Sequence, residues 1–271
     1  MKSLFETANK ELENVFDWMV SNKLTINTDK SNFIIFHNRY NSENIEEYHV
    51  KIGNVELDQV KYTKFLGIKI DENLNWKSHM EFILSKTRRN LGVVRKISPF
   101  ITKDALYQLY FALIMSHLRY GILVWHQGCV TMRKKMQACS NNFVRLIHSL
   151  PNRQSVRVVM KDNNLLSLNQ IYHSEIAKLN HKLENGTIPD CFKQLFENQN
   201  RATGVNTRSH SNYFQPFCRI NLTKQAFNVQ GPKIWNAIPI DVKMDSNGQC
   251  VEDSIFKRNI KEYAINHIDY I

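Results

Sequence analysis

The sequence predicts an α+β fold: a small antiparallel sheet carrying one helix, then a helical bundle, then a mostly helical C-terminal region. Three observations carry this reading. Apolar residues recur at helical spacing in several long stretches. Tyr48–Asp58 alternates in period two about a Gly53-Asn54 dipeptide, the pattern of a tight hairpin. The hydrophobic share, 42%, suffices for a core. No apolar run approaches the roughly 18 residues that a membrane span needs.

The elements follow in order. Residues 3–21 read as a helix, with Ser3-Leu-Phe-Glu6 fitting a capping box and Leu4, Phe5, Ala8, Leu12, Val15, Phe16 and Met19 forming one apolar stripe. Asn22 stops it, and Phe33-Ile-Ile-Phe36 reads as a strand beneath it. In the hairpin, Gly53-Asn54 as a two-residue turn pairs Ile52 with Val55 and Val50 with Leu57 on one face. The same register sets Lys51 against Glu56 and His49 against Asp58 on the other, as cross-strand pairing favours. Phe65–Ile70 reads as a further strand, in which Gly67 signals a bulge or a close backbone approach.

A long helix follows over 76–98. Trp76, Met80, Ile83, Leu84, Leu91, Val94 and Ile97 line one side; Arg88, Arg89, Arg95 and Lys96 lie on or near the other, around Gly92. Pro99 ends it. Thr102 caps the next helix, with Asp104 in its first turn. Leu106, Leu109, Tyr110, Leu113, Ile114 and Leu118 make that helix central, Gly121 stops it, and Ile122–Trp125 reads as buried. A third helix over 131–148 opens on Arg133, Lys134 and Lys135 and turns Met136, Cys139, Phe143, Leu146 and Ile147 inward. Pro151 closes this region, so the chain divides into 1–75, 76–150 and 151–271. Helices are expected at 153–161, 168–184 and 253–267, with a long polar loop near 198–212 that carries Arg201, Arg208 and His210. Trp235 reads as a core anchor.

Charge is unevenly distributed. Of the net +11, residues 86–161 hold 14 Lys and Arg against a single acid, Asp104, while the flanking regions are near neutral. One basic region in a balanced chain is the footprint of a phosphate-backbone partner, although a solubilising surface would look similar. The five cysteines are odd in number and scattered, which argues against a secreted disulfide framework and against a Cys-x-x-Cys zinc site. With no signal-peptide core at Met1-Lys-Ser-Leu-Phe, cytoplasm or nucleus is expected, and the two Asn-x-Thr sequons read as chance. His117 and His126 lack the spacing of a metal pair and read as packing residues.

Several segments, taken in sequence, carry a resemblance. They are Trp18-Met-Val-Ser-Asn-Lys-Leu-Thr-Ile-Asn-Thr-Asp-Lys30, Phe33–Phe36, Tyr62-Thr-Lys-Phe-Leu-Gly-Ile-Lys-Ile-Asp71, Asn73-Leu-Asn-Trp-Lys-Ser-His79 and Tyr120-Gly-Ile-Leu-Val-Trp125. Gly231-Pro-Lys-Ile-Trp-Asn-Ala-Ile-Pro239 and Ser254-Ile-Phe-Lys257 extend it toward the C-terminus. In order and spacing they resemble the RNA-directed DNA polymerase (reverse transcriptase) of non-LTR, LINE-type retrotransposons of the jockey and CR1 kind. The resemblance implies that 1–75 is the end of a palm, 76–150 a thumb, and Lys64, Phe65, Leu66 and Gly67 a primer-grip-like segment. Lys30 matches the palm lysine that could protonate the leaving pyrophosphate; it also reads as a surface lysine in the turn Asn27-Thr-Asp-Lys.

The parent enzyme would use two magnesium ions held by an Asp on one strand and an aromatic-x-Asp-Asp turn. No Asp-Asp dipeptide occurs in this chain, and neither a P-loop nor a Gly-x-Ser-x-Gly motif does. The resemblance thus begins after the catalytic aspartates. It implies a C-terminal fragment without catalytic residues, cofactor or metal, that binds RNA or an RNA–DNA or DNA duplex through Arg88, Arg89, Arg95, Lys96, Arg133, Lys134 and Lys135. The alternative is a domesticated or non-functional relic that self-associates through an uncovered palm remnant. An enzyme of another class finds no constellation of acid, His or Cys to support it.

Overall fold

The structure, a computed structural model, describes residues 2–37, 49–189, 192, 213–219, 223–224, 226–247 and 249–269. The polar stretch 198–212 lies outside the described residues. The chain forms two compact units, Met1–His79 and Met80–Ile271. The boundary expected at Pro151 falls inside the second of these.

The first unit is α+β. Helix α1 (Lys2–Ser21) already includes Ser3, so the expected capping box does not form; Thr7 Oγ1 instead donates to the Ser3 carbonyl. Its inward stripe is narrower than the periodicity suggests: Phe5 is buried and Ala8, Leu12, Phe16 and Met19 are half-buried, while Leu4 and Val15 face solvent. Strand β1 (Asn32–Phe33) is two residues long rather than reaching Phe36. It pairs in parallel with β4 (Asp58–Gln59), and Val60 N extends the pairing by donating to Phe33 O.

The hairpin of β2 (Lys51–Ile52) and β3 (Val55–Glu56) has the expected register: Lys51 opposite Glu56, Ile52 opposite Val55, and Leu57 N donating to Val50 O. His49 pairs with Glu56 instead of Asp58, because Asp58 has turned away into β4. Two features dock this hairpin on α1. The Asn9 side chain accepts from Lys51 N and donates to His49 O, and Gly53, at φ 55°, approaches Phe16 so closely that a Cβ would sit 2.9 Å from its ring. Only glycine satisfies both demands at that turn.

Residues 62–71 correct a second expectation. They form two strands, β5 (Tyr62–Phe65) and β6 (Ile68–Asp71), and Gly67 is in the turn between them. Leu66 and Gly67 both have positive φ (46° and 83°), the backbone that a two-residue hairpin of right-handed twist requires. The expected single antiparallel sheet is therefore three separate two-stranded pairs, one of them parallel.

The second unit is helical. Helix α2 (Lys77–Ile97) begins in the first unit and runs into the second. Met80, Ile83, Leu84, Leu91 and Val94 are buried as expected, with Thr87 among them, whereas Ile97 is exposed. Thr102 caps α3 (Lys103–Tyr110) by accepting from Ala105 N. The helix continues through a π turn (Phe111–Met115) into α4 (Ser116–Arg119) and stops at Gly121, φ 61°. One short turn, α5 (Ile122–Trp125), buries Ile122 and Trp125 and leads to α6 (Val130–Ile147) and α7 (Arg157–Asp162).

Helix α8 (Leu168–Glu184) opens on a complete capping box between Ser167 and Gln170 and packs against α4, α5, α9 (Phe227–Ala237) and α11 (Asp253–His267). Sequence patterning left α9 unassigned, because Gly231-Pro232 lies inside it. The Gly231 carbonyl accepts from the buried Asn180 amide, 3.0 Å away, which ties α9 to α8. Trp235, 1% exposed, packs at a tilt on Phe256, as a core anchor does. Lys243, at the end of α10 (Ile240–Lys243), is buried with its ammonium donating to Trp235 O and lying over the Trp235 ring. A cation there offsets the free carbonyls at the end of α9.

Candidate nucleic-acid interface

The basic residues of α2 share one exposed face. Arg88 and Arg95, and likewise Arg89 and Lys96, are seven residues apart, so two rows run along the helix with about 10 Å between members of each. Gly92 lies between them, and among the described residues nothing beyond its own turn of helix comes within 4 Å of where its Cβ would be. A strip of backbone is thus left open between four cations. Cys139 of α6 lies close to Thr87 of α2.

Where the ends of α2 and α6 meet the start of α3, they enclose an open groove of about 910 Å³. Three cations line it: Arg95 from α2, Lys103 from α3 and Arg145 from α6, with Ser98, Asn142, Ser149 and Asn152 as further polar groups. Among the described residues, no carboxylate lines it. Two of the three cations are held in place. Arg145 donates from Nε to Gln154 O (2.9 Å) and from one terminal nitrogen to Asn142 Oδ1 (2.8 Å), which leaves its other terminal nitrogen for a ligand.

Lys103 Nζ lies 3.3 Å from His148 Nδ1, and His148 Nε2 lies 2.6 Å from the Tyr107 hydroxyl. Partial burial, with Lys103 beside it, pushes the His148 pKa down, so the ring is neutral near pH 7. An ammonium can only donate. Nδ1 is then the acceptor and Nε2 carries the proton, donating to Tyr107. The pair fixes Lys103 at the groove without neutralising it.

The candidate residues separate in this geometry. Arg88, Arg89, Arg95 and Lys96 stay together, exposed, on α2. Arg133 does not join them: half-buried, it donates to the His126 carbonyl at 2.9 Å, and burial lowers its pKa. One terminal nitrogen of its guanidinium joins α6 to the preceding turn. Lys134 and Lys135 are exposed at the other end of α6, about 15 Å along the helix from Arg145.

Periodicity overlooked Lys103 and Arg145, although both fall in the basic region 86–161; what singles them out is the meeting of helix ends. Phe100 was overlooked as well. It is 86% exposed and sits in the chain between two groove residues, Pro99 and Ile101, where an aromatic ring is available for base stacking.

In the first unit, Lys64, Phe65, Leu66 and Gly67 occupy the tip of the β5–β6 hairpin, with Phe65 62% and Leu66 73% exposed. Lys30 ends a 3-10 turn (Thr28–Lys30) capped by Asn27 and is exposed, as a turn lysine would be. His126 is a packing residue: it is buried, it stacks on Tyr172 with centroids 4.1 Å apart, and burial with Arg133 beside it pushes its pKa down to about 2.

Among the described residues, no three His, Cys, Asp or Glu side chains gather as a metal ion would require. No described helix is long and apolar enough to cross a membrane. No protein-family model, no curated protein and no solved structure matches the chain.

Proposed function

We propose that this chain binds a nucleic-acid backbone through the groove of Arg95, Lys103 and Arg145 and the adjoining face of α2. We propose further that it is the C-terminal part of a non-LTR, LINE-type reverse transcriptase. In that reading 76–150 acts as a thumb, and the exposed tip Lys64–Gly67 supports a primer end. The carrying observation is the groove itself: three cations from three elements converge on one concavity with no acid among the described residues that line it. Direct contacts from arginine and a point charge from lysine position a phosphate chain without reading its sequence. The preferred partner is an RNA–DNA or RNA duplex, bound in the cytoplasm or nucleus. The proposal is one of binding and assigns no bond-making step to these residues.

The test is the affinity for a short RNA–DNA duplex, followed by fluorescence anisotropy at rising salt. Three or more phosphate contacts predict a slope of log K against log salt of about −3 or steeper. A flat dependence would refute the groove.

A second reading, self-association through the first unit, is favoured by the exposure of Trp18 (59%), Phe65 and Leu66. Sedimentation that stays monomeric at high protein concentration would remove it.

A further inference from the structure

A second cavity, of about 150 Å³, lies wholly within the second unit, away from the residues of the basic groove. Its apolar wall comes from Phe111 and Met115 of the π turn, with Leu165 and Ile171. The π turn widens the helix here, a local distortion that recurs at functional sites in proteins generally.

The polar wall comes from two packed helices that each present a pair one turn apart: Ser174 and Lys178 on α8, Lys257 and Lys261 on α11. Arg119 of α4 completes it. Ser174 is 1% exposed, and its hydroxyl is a buried polar group with no hydrogen-bond partner among the described residues. Buried hydroxyls are ordinarily satisfied, so this one calls for a ligand.

The charges point the same way. Glu175 holds two of the cations, accepting from Arg119 Nε at 2.9 Å and Lys178 Nζ at 3.1 Å, and Asp253 holds Lys257. Lys261 has no acidic partner among the described residues. Four cations face two carboxylates, which leaves the polar wall with a surplus of about two positive charges.

We propose that this cavity binds a small phosphomonoester. Its phosphate, close to doubly charged at neutral pH, would accept from the Ser174 hydroxyl and the Lys261 ammonium; its organic group would lie against Phe111 and Met115. The surplus charge matches a phosphomonoester better than a monoanionic carboxylate, and the volume suits a group the size of one aromatic ring. The inference is independent of nucleic-acid binding by the groove.

The test is calorimetric titration of the full chain with phenyl phosphate at low salt. Saturable binding is expected, with Ser174→Ala and Lys261→Gln each weakening it about tenfold. Benzoate, with the same ring and one charge, and inorganic phosphate, with no ring, should each bind about tenfold more weakly. No saturable binding, binding untouched by both substitutions, or equal affinity for benzoate or inorganic phosphate would overturn the proposal.

Two controls keep the outcome readable. Lys261 is exposed, so Lys261→Gln tests the charge without disturbing the core. Ser174→Ala without ligand should melt no lower than the parent, because its hydroxyl has no bond to lose; a marked drop would show that the hydroxyl has a structural partner instead. Duplex affinity should be unchanged in Ser174→Ala, so loss of phenyl phosphate binding and loss of duplex binding are separable results.

Discussion

In the first unit, Phe5, Val50 and Ile52 are the buried apolar side chains among the described residues; in the second, an apolar core continues from Met80 to Ala264 and includes Trp125 and Trp235. The first unit is fastened by local polar devices. Asn9 ties the β2–β3 hairpin to α1, and the Asp71 carboxylate accepts from the backbone of Asn73, Asn75 and Trp76 at 3.0–3.1 Å. That last network holds Leu74 and Trp76 at positive φ (51° and 60°), a backbone that ordinary side chains avoid. The second unit instead buries long amphipathic faces, and most of the polar side chains buried among them are hydrogen-bonded. Residue-local fastening makes the first unit depend on single side chains, whereas core packing makes the second depend on volume.

The largest effect that would sharpen this contrast is on core volume. Trp125→Ala removes a fully buried indole whose N–H donates to Tyr120 O at 2.9 Å. It should destabilise the second unit by about 3–5 kcal/mol in chemical denaturation. A loss under about 1 kcal/mol would contradict a packed core there.

Acid comes next. Burial lowers the pKa of His126 to about 2 and that of His173 to about 4, the latter with Lys233 adding to the effect. Both rings are neutral in the fold but take up a proton in the unfolded chain below about pH 6.5. The unfolded state then binds more protons, so stability falls as pH drops from about 7 toward 4, by about 1–3 kcal/mol per group. Replacing His126 by Phe should remove much of that dependence; an unchanged pH profile would refute its neutral burial.

Asp71→Ala removes the acceptor of three backbone N–H groups and should cost about 1–3 kcal/mol. Hydrogen exchange should quicken over residues 62–79 while α8 amides stay protected. Equal loosening of both units would break the contrast.

The smallest expected effect is Phe100→Ala. It should leave stability within about 0.5 kcal/mol and weaken single-stranded RNA binding about fivefold, with duplex affinity nearly unchanged.

The same contrast explains what could be read from sequence. Long helices declare themselves through spacing: the ends of α8 and α11 fall at the residues the pattern indicates, because caps and amphipathic stripes are local signals. Short strands do not. Phe33-Ile-Ile-Phe36 has strand composition, yet just Phe33 of the four pairs, since pairing depends on a distant partner at Gln59. Helix α9 was missed because Gly231-Pro232 reads as a breaker, whereas Pro232 lies inside the helix and the Gly231 carbonyl beside it is tied to Asn180 of α8. For the site, the charged face of α2 was evident from a seven-residue repeat. The groove was not, because Lys103 and Arg145 are 42 residues apart and meet where helices end. Arg133 shows the complementary case: its charge was legible in the sequence, and its bond to His126 O was not.

The measurement that bears most directly on the account compares two charge reversals in the same duplex titration. One is Arg95→Glu with Lys103→Glu in the groove; the other is Lys134→Glu with Lys135→Glu at the far end of α6. Both pairs change net charge equally and all four side chains are exposed. The account predicts that the groove pair weakens binding by more than tenfold and reduces the salt slope by about 2, while the α6 pair costs less than threefold. Equal losses from the two pairs would show attraction by overall charge without a defined groove, and no loss from the groove pair would place the phosphate contacts elsewhere.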